Sequence, residues 1–218
     1  VIDATLGAVP RLEFGVRGVE AANDSATPAL RMRFHIGAEA GASVLGLALN
    51  VDVRIAAERR RYDEAERSKM RELFGDATQW DRSIGPIAWT RGTLNVPAFG
   101  GSTEAVVTLP CGYDFDLVAV KYASALDGGF IPIEVLLTGT VFYRSGDRML
   151  AAKLPWDSEI GYRVDVATWQ AAVGMVFGDE AWLRIDRNLL RRLQDLRSQR
   201  GFTTWNQTIE SLLDGNRT

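Results

Sequence analysis

Leu45-Gly-Leu-Ala-Leu-Asn-Val-Asp-Val-Arg-Ile55 places an apolar side chain at every second position without interruption. Successive side chains of an extended strand point to opposite faces, so this spacing sends Leu45, Leu47, Leu49, Val51, Val53 and Ile55 one way. Gly46, Ala48, Asn50, Asp52 and Arg54 go the other. A helix needs a period near 3.6, and the stretch lacks one. Working outward, Leu30, Met32, Phe34 and Ile36 alternate with Arg31, Arg33 and His35, and Leu12, Phe14 and Val16 repeat the pattern. The links AANDSATP and GAEAGAS are made of small, turn-forming residues, which favours antiparallel neighbours. One face of the sheet is therefore buried and the other wetter.

The period changes at residues 63–74, where charges of both signs surround Ala65, Met70, Leu73 and Phe74, and Gly75 supplies a helix stop. Strands are expected again at 87–96, 103–109 and 130–143. Residues 116–126 read as a short helix ended by Asp127-Gly128-Gly129, and Asp165 opens a helix running to about Phe177. The last stretch reads as a strand at 181–185, then a helix capped by Asp186 with Leu189, Leu193 and Leu196 on one stripe. A second helix has Thr204 and Gln207 in capping-box spacing and carries Trp205, Ile209, Leu212 and Leu213 inward. The expected fold class is α+β: a mostly antiparallel β-sandwich or sheet layer with covering helices and a C-terminal strand-helix-helix. The domain reading is a β-rich domain over 1–155 with a helical region over 156–218 packed on it, or one single domain.

Composition narrows the function. The 218 residues include one histidine, His35, and one cysteine, Cys111. Metal centres, acyl-transfer triads and iron–sulfur clusters draw on several such side chains, so no metal or other cofactor and no catalytic residue is expected. A single cysteine makes no internal disulfide, which favours a reducing, cytoplasmic compartment. The opening VIDATLGAVP has neither a basic start nor an apolar run and does not read as a signal peptide. The longest apolar stretches fall short of the ~18 residues of a membrane span. A net charge of −3 gives no global attraction to nucleic acid.

His35 lies on the polar side of its strand and reads as a rim residue. Cys111, after Pro110, has no basic neighbour in sequence and reads as a buried or half-buried thiol. Asp114 and Asp116 share a face if extended and, with Glu104, form a low-ranking acidic cluster able to hold a hard cation. The run Arg59-Arg60-Arg61 is bracketed by Glu58, Asp63, Glu64 and Glu66, and is a candidate partner-docking patch against a solvated-face alternative. Of six tryptophans, Trp182 would face outward with Arg184, making that pair a second candidate patch.

The segment AWLRIDRNLLRRLQDLRSQRGFTTWNQTIESLL resembles the ribbon-helix-helix fold of small dimeric DNA-binding repressors. That resemblance implies base contacts from Trp182 and Arg184, and residues 181–218 carry seven arginines against four acidic residues. RRRYDEAE from Arg59, VPAFGGSTE from Val96, LPCGYDFDLVAVKY from Leu109, GTVFYR from Gly139 and LPWDSEIGYRVDVATW from Leu154 resemble an uncharacterised bacterial domain-of-unknown-function family. Its members are often encoded beside [NiFe]-hydrogenase genes. The resemblance implies an accessory role with hydrogenase subunits or maturation factors as partners, and it supplies no catalytic residue. The expected function is thus a non-catalytic accessory or assembly protein acting by protein–protein binding, with a homodimer also envisaged. A DNA-binding regulator and a carboxylate- or metal-dependent enzyme are the alternatives.

Overall fold

The fold is described from a computed structural model, covering residues 9–112, 117–155, 159–180 and 183–215. Among the described residues, eight antiparallel strands form two sheets. β1 (Leu12–Ala21), β2 (Ala29–Ala38) and β5 (Ser102–Pro110) build the first, in the order β1-β2-β5. β3 (Ser43–Ile55), β4 (Ile87–Phe99), β6 (Phe130–Ser145) and β7 (Arg148–Lys153) build the second, in the order β4-β3-β6-β7, and β8 (Glu159–Asp165) also pairs with β6. The α+β class with covering helices expected from the alternation is the one observed.

The core lies between the sheets. Leu30, Met32, Phe34 and Ile36 of β2 face Leu47, Leu49, Val51, Val53 and Ile55 of β3, with Ile131, Ile133, Val135 and Leu137 of β6 beside them. One residue departs from the strict alternation. Val44 and Leu47 are both buried while Leu45 is only half-buried, because the register slips between Val44 and Gly46. Gly46 takes φ 157°, a conformation that side chains disfavour, and absorbs the bulge.

Helices cover the edges. The helix expected over 63–74 is two short ones, α1 (Glu64–Lys69) and α2 (Arg71–Phe74), meeting at Met70, whose side chain is fully buried. Ala65 is exposed rather than inward, and Glu66 takes the inner position because a buried guanidinium meets it there. α3 (Trp80–Ser83), α4 (Val118–Ala125) and α5 (Val166–Phe177) follow. The two compact units are Val1–Ala181 and Trp182–Thr218. The division therefore falls later than the composition change at Pro155, because β8 pairs along β6 and joins the sheet unit.

The second unit is a helical hairpin, α6 (Arg187–Arg200) and α7 (Trp205–Asp214). The expected strand at 181–185 is not found at 183–185, where no described strand lies alongside to pair; Ala181 and Trp182 lie outside the described residues. Trp205, Ile209, Leu212 and Leu213, expected inward, are exposed, and Thr208 is buried in their place. Two helices alone enclose very little. Among the described residues no helix is long and apolar enough to cross a membrane.

Candidate functional site

The arginine run emerges from the end of β3 through a short 3-10 turn (Ala57–Arg59), and its three members meet different fates. Arg59 pairs with Glu134 of β6 and, at 3.7 Å, with Glu159 of β8. Arg60 turns inward. Its guanidinium donates to Glu66, to the Phe130 carbonyl and, at 2.9 Å, to the Gly128 carbonyl. Its face also lies 5.7 Å from the ring centroids of both Tyr62 and Phe130. A buried charge survives only when paired and hydrogen-bonded, and Arg60 meets both conditions. Arg61 is exposed, and among the described residues it has no ion-pair partner.

Behind the arginines stand four edge-to-face aromatic rings. Tyr62 meets Trp80 at 5.4 Å and Tyr122 at 6.2 Å, and Phe74 meets Trp80 at 5.6 Å and Tyr122 at 6.5 Å. The Tyr62 hydroxyl donates to the Ala57 carbonyl at 2.6 Å and lies 2.8 Å from the Tyr122 hydroxyl. Burial raises the pKa of both phenols, and it pushes Tyr122 up to about 12 against the opposing effect of its bond to Tyr62. Both are neutral and structural at physiological pH. Asp63 caps α1 by accepting from the Glu66 amide at 2.8 Å, which fixes the helix that carries Arg67.

These parts frame an open cavity of about 440 Å³. Tyr62, Trp80 and Ile84 form its apolar floor, and Arg61, Arg67 and Glu58 stand around it with the edge of Arg60. Among the described residues Arg67 reaches only Glu64, at 4.0 Å and largely in solvent, so its charge remains available. The dish thus combines a rigid aromatic floor with two solvent-facing guanidinium groups. Such a surface suits recognition of a carboxylate-bearing partner segment by bidentate hydrogen bonds over a ring face.

The remaining candidates are placed as follows. Glu104 is exposed on β5, directly across from His35 on β2. Asp114, Asp116 and Trp182 lie outside the described residues. No group of three His, Cys, Asp or Glu able to hold a metal converges among the described residues. Arg184 is exposed. Cys111 is buried, with its thiol pushed up to about 12 by burial. The floor residues Trp80 and Ile84 and the second guanidinium, Arg67, were not singled out by sequence. The one available signal was Tyr62, which follows the arginine run directly.

The geometry defines a β-sandwich protein with an arginine-rimmed aromatic dish and an appended helical hairpin. The chain belongs to the Family of unknown function (DUF6084), whose pattern matches residues 9–218. No curated protein matches. Among solved structures, the solution structure of a late embryogenesis abundant (LEA) protein aligns with 10% identity and a TM-score of 0.33, covering 74% of this chain and 75% of that one. A β-glucosidase from Kluyveromyces marxianus aligns with 9% identity and a TM-score of 0.24, covering 71% of this chain and 15% of that enzyme. Likeness at this level carries no argument about this protein.

Proposed function

We propose that this protein is a non-catalytic accessory or assembly factor that binds a protein partner through the dish beside Arg61 and Arg67. The supporting observation is the division of labour within the run. Arg59 and Arg60 are consumed by internal pairing, which anchors the backbone that presents Arg61 at the rim of a Tyr62–Trp80 floor. A pre-set aromatic floor loses little freedom on binding, and aromatic and arginine side chains dominate interface energetics. The preferred partner segment is acidic. Given the genomic neighbourhood that the family resemblance implies, [NiFe]-hydrogenase subunits or maturation factors are the first partners to test.

Affinity purification of the tagged protein from its native host is expected to recover those components, and the charge reversal Arg61→Glu with Arg67→Glu is expected to lose them. Recovery of the bait alone would sink the function, and recovery unaffected by the reversal would sink the site. A second reading, DNA binding by the C-terminal unit, is favoured by the five arginines of α6. It expects duplex DNA to be retarded at low salt and released steeply as salt rises, with Arg184→Ala abolishing the shift.

A further inference from the structure

The C-terminal hairpin is specified at each helix end yet has almost no interior. Asp186 accepts from the amides of Asn188 at 2.7 Å and Leu189 at 3.2 Å; Gly201 ends α6 in the left-handed region at φ 66°. Thr204 and Gln207 close a full capping box on α7, and Arg197 stacks 4.9 Å over the Trp205 ring. Local signals of this density describe a segment built to be ordered. Nevertheless, no residue of α6 is buried, and of α7 only Thr208 is. Leu183, Leu189, Trp205, Ile209, Leu212 and Leu213 are exposed, Leu183 at 73% and Leu213 at 63%. A unit spanning 182–218 falls below the roughly 40 residues at which a chain encloses its own core, and oligomerisation is one of the standard remedies.

We infer that a second copy of this chain covers the hairpin, the two hairpins packing face to face about a two-fold axis as four helices. Charge selects this occupant. α6 carries five arginines against Asp195 alone, whereas α7 carries Glu210 and Asp214 and no basic residue. An interface between identical surfaces must be complementary to itself. A two-fold axis running along the helices sets α6 of each copy against α7 of the other, basic on acidic at both contacts. An axis running across them would set arginines on arginines. A hairpin with one basic and one acidic helix therefore carries the complement of its own surface, and the matched charges fix the arrangement while the apolar side chains supply the burial. Two hairpins joined in this way form a bundle with a shared apolar centre. This inference is independent of the dish and of its partner.

Size-exclusion chromatography with light scattering on the full chain is expected to give twice the 24.0 kDa chain mass at micromolar concentration. Ile209→Asp with Leu213→Asp is expected to give the single-chain mass with the sheet unit's near-ultraviolet circular dichroism retained. Three further variants decide the matter without touching apolar positions. A chain with Arg187→Glu, Arg191→Glu and Arg192→Glu, and a second chain with Glu210→Arg and Asp214→Arg, are each expected to self-associate at least about tenfold more weakly. Mixed together, they are expected to form a one-to-one dimer. A parent chain that stays at 24.0 kDa overturns the inference, assigning the face to some other occupant. So does a dimer that survives the aspartate pair, or reversed chains that fail to recover on mixing.

Discussion

Arg60 illustrates how a single side chain sets the local architecture. With a side-chain exposure of 9% it joins α1, the turn at Gly128 and the start of β6 through one guanidinium. Removing its counter-charge leaves a buried cation unpaired, and breaking such pairs costs about 3–5 kcal/mol. Glu66→Ala is accordingly expected to lower the urea midpoint by that equivalent, while the double change Arg60→Met with Glu66→Leu loses much less. Cys111 works through the opposite property, neutrality. Its folded pKa of about 12 lies above the ordinary thiol value near 8.5, so the folded state retains the proton longer. The sign follows: its contribution is fully present below about pH 8.5 and is lost as pH rises towards 12. Urea midpoints measured from about pH 8 to 9.5, where ordinary tyrosines stay mostly protonated, are expected to fall in the parent and to fall less in Cys111→Ala. Nothing in the sequence revealed Arg60's role, since its acceptors at Gly128 and Phe130 lie far along the chain and only folding brings them together.

At the scale of elements, β3 and β6 meet at a point where no side chain fits. Gly139 pairs with Leu49 at φ 152°, and a Cβ there would sit 2.1 Å from the Ala48 carbonyl oxygen, against backbone that has nowhere to go. Gly139→Ala is expected to destabilise the sheet unit by at least about 3 kcal/mol, beyond ordinary substitutions, measured by thermal melting. β2, β3 and β6 were readable because buried central strands show their inner face as a regular apolar series. β7 and β8 were not, because RMLAAK and EIGYRVD offer short, half-apolar patterns typical of strands with one open side. The split of 63–74 at Met70 was equally hidden, since both halves have helical composition and tertiary packing alone redirects the chain.

For the molecule as a whole, period-two alternation carried the class of fold, while the limit of the sheet unit depended on β8 pairing with β6, a long-range event that composition does not register. The candidate site was half legible. The arginine run announced itself as charge, but its apolar floor is completed by Trp80 and Ile84, brought in by α3 and the residue after it, whose packing has no local signature. Among the described residues, no apolar side chain beyond Ala172 is buried. The apolar burial that holds the sandwich together is therefore supplied from within its own unit. The sandwich's thermal endurance and the pairing proposed for the hairpin are thus written on separate stretches of chain.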